Sequence, residues 1–140
     1  MADDPLDLLS SARFGALVTL KKDGRPQISN VLHHYDPESR TLRVSVTYGR
    51  AKTANLRRDP RASYYVTSED GWRFLVVEGV AEFSEVAKET DDAAVEELVQ
   101  LYRDLRGEHP DWDEYRRVQV EEQRLVLRIK VDHHYGAAVR

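Results

Sequence analysis

Thr41-Leu42-Arg43-Val44-Ser45-Val46-Thr47, followed after Tyr48-Gly49 by Arg50-Ala51-Lys52-Thr53-Ala54-Asn55-Leu56-Arg57-Arg58-Asp59-Pro60-Arg61, organises the reading of the whole chain. The first seven residues alternate apolar with polar, the period-two pattern of a half-buried strand. The later residues read as the opening of a helix that Pro60 stops. Residues 48–61 carry five basic side chains and one acid, a local charge of +4 in a 140-residue chain of formal net charge −4. An anion-attracting island therefore sits at a strand-to-helix junction. Unpaired N–H groups and the positive end of the helix dipole favour phosphate at such a place.

Upstream of this junction, residues 5–11 read as a short amphipathic helix, and Phe14-Gly15-Ala16-Leu17-Val18-Thr19-Leu20 as a buried strand. Asp23-Gly24 signals a hairpin, because Gly accepts positive φ. A second strand runs over residues 27–35, and Asp36-Pro37 turns the chain into the strand at 41–47. Downstream, residues 62–68 and 72–83 read as strands joined by the turn Glu69-Asp70-Gly71. Gly79 marks a bulge or a close approach. Ala93, Ala94, Val95, Leu98, Leu101, Tyr102 and Leu105 fall on helical spacing, and Gly107 fits that helix's end. A further helix opens at Asp111-Trp112-Asp113, and the alternating run of residues 124–131 closes the sheet. Six antiparallel strands with two late helices point to a small barrel, in which closure removes exposed edges.

The length expects one domain, residues 1–140, with a sizeable core. The absence of cysteine excludes disulfides, thiolate metal sites and cysteine nucleophiles. No apolar run reaches membrane-spanning length, and the acidic start Met1-Ala2-Asp3-Asp4-Pro5 has no signal-peptide pattern. A cytoplasmic protein without membrane association is the expectation. The overall acidity speaks against nucleic-acid binding, where a domain-wide basic face is usual.

Arg50, Lys52 and Thr53 are the candidate phosphate ligands: a planar fork, a point charge and a hydroxyl donor. A solvated basic helix face is the alternative reading of the same residues. Arg57, Arg58 and Arg61 lie further on and read as partners for acids or for another chain. Gln27, Ser29 and Asn30 place polar groups on an otherwise apolar strand, with Gln27 and Ser29 on one face and Asn30 on the other. Ser45 and Thr47 repeat the theme on the next strand. These positions face either water or a ligand with donors and acceptors. Trp72 and Phe74 either pack on a flat ring or fill core. Trp112 and Tyr115 read as anchors of a peripheral helix. The pairs His33-His34 and His133-His134 can each offer one ligand to a given site, and no spacing resembles a zinc motif, so no metal is expected. Nucleophile-elbow, Walker and glycine-rich dinucleotide motifs are absent.

Asp23-Gly24-Arg25-Pro26-Gln27-Ile28-Ser29-Asn30, with Arg50-Ala51-Lys52-Thr53 and Asn55-Leu56-Arg57-Arg58-Asp59-Pro60-Arg61, resembles the split β-barrel flavin/deazaflavin oxidoreductases, the pyridoxamine-phosphate-oxidase-like class. Glu69-Asp70-Gly71-Trp72, Glu78-Gly79, Leu101-Tyr102-Arg103, residues 107–112 and Tyr135-Gly136 carry the resemblance along nearly the whole chain. Within the class it is most similar to the actinobacterial branch that uses the deazaflavin coenzyme F-420 rather than FMN. The resemblance implies a mainly β (α+β), FMN-binding-type split β-barrel with short flanking helices. It implies a homodimer with two cofactor sites at the subunit interface.

By the same resemblance, Arg50 and Lys52 grip the cofactor phosphate with Thr53 at the helix start. Gln27, Ser29, Asn30, Ser45, Val46 and Thr47 lie along the ring and its ribityl chain, and Trp72 and Phe74 approach from the second subunit. Ala54 stands where close relatives often have another basic residue, a departure that speaks against a long acidic glutamyl tail, with Arg57 and Arg58 the residues that could still serve one. The implied activity is hydride transfer from F-420 to a small conjugated or unsaturated acceptor, with no catalytic acid or base assigned among the residues. An FMN-dependent oxidase or reductase and a non-catalytic cofactor- or tetrapyrrole-binding protein stand as alternatives on the same fold.

Overall fold

In the computed structural model, which describes residues 4–138, an antiparallel sheet of seven strands is curled on itself and flanked by four helices. In chain order the elements are α1 (Asp7–Ser11), β1 (Phe14–Leu20), β2 (Pro26–Leu32), β3 (His34–Asp36) and β4 (Thr41–Thr47). There follow α2 (Ala51–Arg58), β5 (Arg61–Thr67), β6 (Arg73–Phe83), α3 (Ala93–Arg106), α4 (Trp112–Glu121) and β7 (Arg124–Ala138). The strand order is β2-β1-β5-β6-β7-β4-β3. β2 and β3 lie at opposite ends of that order, yet only His33 separates them in the chain. The sheet must therefore curl until its two edges come together, which makes it the expected split barrel.

Residues 27–35, expected as one strand, are two. The inward parity runs unbroken through Val31, His33 and Tyr35, but the hydrogen-bonding partner changes from β1 to β4 at His33. His33 is itself the fastener of that corner. Its Nε2 donates to the carbonyl of Leu9 at 2.8 Å, and its Nδ1 accepts from the Tyr64 hydroxyl at 2.5 Å. α1 is thereby docked over the corner, with Leu8 and Leu9 in the barrel core.

The core follows from alternation. Leu42, Val44 and Val46 of β4 point inward with Leu17 of β1, Tyr64 and Val66 of β5, and Leu75 and Val77 of β6. β7 departs from alternation: Leu125, Val126 and Leu127 are all buried, because the barrel lies on one side and α3 on the other. β7 also continues past residue 131 to Ala138, further than its alternating pattern indicated. The register between β6 and β7 shifts at Glu78/Gly79. A Cβ on Gly79 would stand 2.1 Å from the Lys130 carbonyl oxygen, so the bulge depends on glycine.

Two aspartates cap the late helices. The Asp92 carboxylate accepts from the Val95 N–H at 2.9 Å and that of Asp111 from the Glu114 N–H at 3.1 Å, contacts worth about 1 kcal/mol each. Ion pairs hold α3 against the sheet, with Arg128 of β7 forked onto Glu97 and Arg43 of β4 bound to Asp104. No helix among the described residues is long and apolar enough to cross a membrane.

Candidate functional site

α2 plugs one end of the barrel, and its attachment sets the geometry around Arg50 and Lys52. Leu56 enters the core, and Asn55 donates from Nδ2 to Gln27 Oε1 at 2.9 Å and to Thr19 Oγ1 at 3.1 Å. Arg58 donates to the Leu20 carbonyl at 2.7 Å. At the other end of α2, the fully buried Thr53 hydroxyl donates to the Thr47 carbonyl at 2.8 Å, and the Arg50 N–H reaches the same oxygen at 3.2 Å. β4 is thus tied directly to the start of α2. Arg50, the residue before the helix, has extended backbone and makes no side-chain cap. The first-turn N–H groups are left without a side-chain acceptor.

Beside this junction, a cleft of 470 Å³ opens on the outer face of the barrel, between the sheet and the α3–α4 pair. The outward faces of β4 and β2 line it, together with the inward-facing Val31 and Val46 at its edge. β4 contributes Ser45 and Thr47, whose parity is opposite to that of the core-facing Val44 and Val46, and β2 contributes Asn30 and Leu32. Val46 borders the cleft although it is buried in the barrel. α3 contributes Leu101, Tyr102, Leu105 and Arg106. α4 and the turn after it contribute Tyr115, Gln119 and Glu122, at helical spacing. Arg50 and Lys52 stand at the start of α2, and Arg124, at the start of β7, lies opposite Thr47 in the β4–β7 register.

The cleft has two chemically different sides. On one, Arg50, Lys52 and Arg124 gather around the Ser45 and Thr47 positions. Burial, then the charges of Arg50 and Arg124, holds the Lys52 ammonium below the usual lysine range. Such an arrangement is relieved by an anion. On the other side stand Tyr102 and Tyr115, which pack with His109 and Trp112, outside the lining, in an aromatic cluster with ring centroids 5.1–5.6 Å apart. The Tyr115 hydroxyl donates to the Leu98 carbonyl at 2.9 Å, and burial pushes its pKa up to about 12, so it stays neutral at physiological pH. Arg106 lies over the Tyr102 ring at 5.7 Å.

The candidate residues fall into two groups. Asn30, Ser45, Val46, Thr47, Arg50 and Lys52 meet in the cleft. Gln27 and Ser29 have the inward parity of β2; Gln27 is engaged with Asn55 and Thr19 at the barrel mouth. Thr53 borders the site only through its bond to β4. Trp72, more than half exposed, and Phe74, stacked on Tyr65 at 6.0 Å, stand on the outer face of β5–β6 away from this cleft. Arg124, Tyr102 and Tyr115 were not among the candidates. Their signal lay in the β4–β7 register and in the helical face of α3, which emerge only once strand pairing is known. Of the histidines, His33 fills the corner described above, and His34 accepts from Arg43 at 3.0 Å.

The barrel's outer face is covered unevenly. α3 and α4 cover β7 and β4, whereas Phe14, Ile28, Tyr65, Trp72 and Tyr135 stay exposed across β2-β1-β5-β6-β7. Asn30, Ala16, Tyr65, Val76 and Tyr135 form one cross-strand row, since each is paired with the next. The cleft is therefore continuous, through Asn30, with this uncovered apolar face.

Solved structures share this architecture. An F-420 reductase is 21% identical over 96% of this chain and 98% of its own, with a TM-score of 0.72. A conserved hypothetical protein from Mycobacterium tuberculosis is 24% identical over 99% of this chain and 85% of its own, with a TM-score of 0.73. The heme storage protein HutZ of Vibrio cholerae is 14% identical over 94% of this chain and 89% of its own, with a TM-score of 0.66. At these identities the likeness is one of fold. The family profile described as pyridoxamine 5′-phosphate oxidase matches residues 2–136, nearly the whole sequence, and the chain belongs to that family.

Proposed function

We propose that this chain is a one-domain, homodimeric oxidoreductase that holds a phosphorylated flavin-type cofactor, coenzyme F-420 ahead of FMN, and reduces a small conjugated acceptor. The observation that carries the reading is the convergence of Arg50, Lys52 and Arg124 at the hydroxyl-bearing edge of β4, opposite an aromatic wall. The donor set suits a phosphate group joined to a polyhydroxylated chain and a flat ring: cations and helix N–H groups for the phosphate, Ser45, Thr47 and Asn30 for the hydroxyls. When bound, the ring supplies the hydride chemistry. The chain's own residues bind, orient and exclude water.

Asn55 and Thr53 fix the α2 start against β4, so that the phosphate ligands are held before a ligand arrives. The uncovered apolar row that begins at Asn30 supports a second copy closing the cleft's open side, with Trp72 and Phe74 on that contacting face. On a tetrapyrrole-binding reading, the likeness to HutZ would extend to the ligand. Among the described residues the cleft lining offers heme iron only the tyrosines Tyr102 and Tyr115, and the Tyr115 hydroxyl is already bound to the Leu98 carbonyl, which favours the flavin-type cofactor.

Absorbance of the purified protein and titration with F-420, followed by its fluorescence, test the proposal. Saturable F-420 binding is expected. A protein that is yellow as purified, with an FMN spectrum, overturns the preference for F-420, and no saturable change with either cofactor overturns the reading. Arg50→Ala and Lys52→Ala should each weaken cofactor binding by ~1–3 kcal/mol, the range for a charge-assisted contact. Unchanged affinity in both places the phosphate elsewhere.

A further inference from the structure

We infer that Arg124 is a third anion ligand of the cleft and that Glu122 is its internal competitor, a carboxylate that holds the guanidinium until a ligand's anionic group displaces it. The inference rests on the cleft being the cofactor site and adds how that site sets its affinity. Arg124 Nε donates to Glu122 Oε1 at 2.9 Å, an end-on contact that occupies one donor of the guanidinium. Nη1 points to the Ser45 hydroxyl at 3.4 Å, on the cleft floor. The remaining N–H groups of the fork keep the geometry suited to two oxygens of one phosphate.

Position supports the role. Arg124 lies opposite Thr47 across the β4–β7 ladder, and the Thr47 carbonyl receives both the Arg50 N–H and the Thr53 hydroxyl. The side chain thus emerges from a rigid strand pair next to the start of α2. Its charge is close enough to Lys52 to depress the ammonium's proton affinity, as the charge of Arg50 does. Three cations crowd one end of the cleft, and Glu122, which lines the same cleft, is the acid that offsets them. A carboxylate so placed does two things: it neutralises part of the repulsion in the free protein, and it competes with the ligand for the same guanidinium.

Glu122 acts here as a specificity element. Ligands whose anionic group can take over the Arg124 fork gain a charge-assisted pair, while neutral analogues leave Arg124 on Glu122 and gain nothing. The expected occupant of this end is a phosphate ester, which offers two or more oxygens to the fork.

The test compares the full-length protein with Arg124→Gln, Arg124→Lys, Glu122→Gln and the double variant, using F-420 and FMN as probes across 50–500 mM salt. Arg124→Gln is expected to weaken binding by roughly 10-fold or more, with a shallower salt dependence. Arg124→Lys is expected to fall between it and the wild type, because it keeps charge and loses the fork. Glu122→Gln is expected to tighten binding by about 3–10-fold, and that gain should vanish when Arg124 is already Gln. Thermal melts of each unliganded variant separate folding defects from binding. Wild-type binding with Arg124→Gln unchanged in affinity and salt slope overturns the role of Arg124 while leaving the cofactor site standing. A Glu122→Gln gain that persists in the double variant overturns the competition and makes Glu122 a remote charge. A wild type that binds neither probe overturns the cofactor site and this inference together.

Discussion

Tyr64→Phe removes one oxygen atom from the middle of the barrel, and the geometry around it sets the cost. Tyr64 is 1% exposed and His33 2%. The His33 Nε2 faces the Leu9 carbonyl, which can only accept, so Nε2 carries the proton and Nδ1 must accept from Tyr64. The phenylalanine ring keeps its place, because Gly15 leaves space that a side chain would fill: a Cβ there would lie 2.3 Å from the Tyr64 ring Cζ. No large cavity opens. What remains is a buried Nδ1 with no donor, a loss of about 1–3 kcal/mol. For a chain of this size that is roughly 4–12 °C in Tm.

Urea denaturation and thermal melts at pH 8 measure this loss, and imidazole nitrogen NMR reads the tautomer. The pH dependence has a definite sign. Burial, opposed by the Leu9 bond, lowers the folded pKa of His33 below its ordinary 6.5. Between 6.5 and that lower folded value the unfolded chain takes up the proton first. The His33 contribution is therefore intact above 6.5, is lost as the pH falls through that window, and levels off below it. Tyr64→Phe within roughly 0.3 kcal/mol of the wild type at pH 8, or an Nδ1-protonated His33 in the folded protein, would refute the reasoning.

Other perturbations separate support from binding. Thr53→Val, which deletes the bond to the Thr47 carbonyl, should cost about 1–2 kcal/mol of stability and weaken cofactor binding, whereas Thr53→Ser should retain both; a Val variant that keeps full stability by denaturant titration refutes the tie. Asn55→Ala severs three hydrogen bonds, the two it donates to Gln27 and Thr19 and the one it accepts from Arg58, so melting should shift downward by several degrees, with an accompanying rise in cofactor Kd measured by titration. Gly79→Val places atoms against the Lys130 carbonyl oxygen and should give little folded protein by circular dichroism; a well-folded Val variant would show that the bulge tolerates a side chain. On the proposed dimer, Trp72→Glu, on the exposed apolar face, should shift the protein towards monomer in sedimentation, and an unchanged sedimentation coefficient counts against that face as the contact.

Much of this fold was legible because short-range physics decides it. β1 and β4 were read from apolar content and alternation, the β1–β2 turn from Asp23-Gly24, and the end of α3 from Gly107, which takes a φ of 82°. The break at His33 was not legible, because inward parity continues through it and only the partner strand changes. The tail of β7 was missed for a related reason: Asp132, His133 and Tyr135 are exposed, so no alternation marks them, and pairing with β6 alone keeps them extended. In the site, Arg50 and Lys52 announce themselves by local charge. Arg124 does not, since its place beside them comes from a strand pairing that spans most of the chain. Tyr102 reads only as one position of a helical run and Tyr115 as an anchor of a peripheral helix; the two rings also form one wall of the cleft.

The strand order carries a consequence for synthesis on the ribosome. β7 is made after every other strand of the described sheet, yet it lies between β6 and β4 and pairs with both. Until residues 124–131 have emerged, β4 and β6 each present a bare edge along which another chain can pair. The two sheet halves can form early as hairpins, but the barrel has no seam to close on. Closure of the fold therefore waits on β7, and crowding on a polysome of chains that still lack it is when this protein is most open to mispairing.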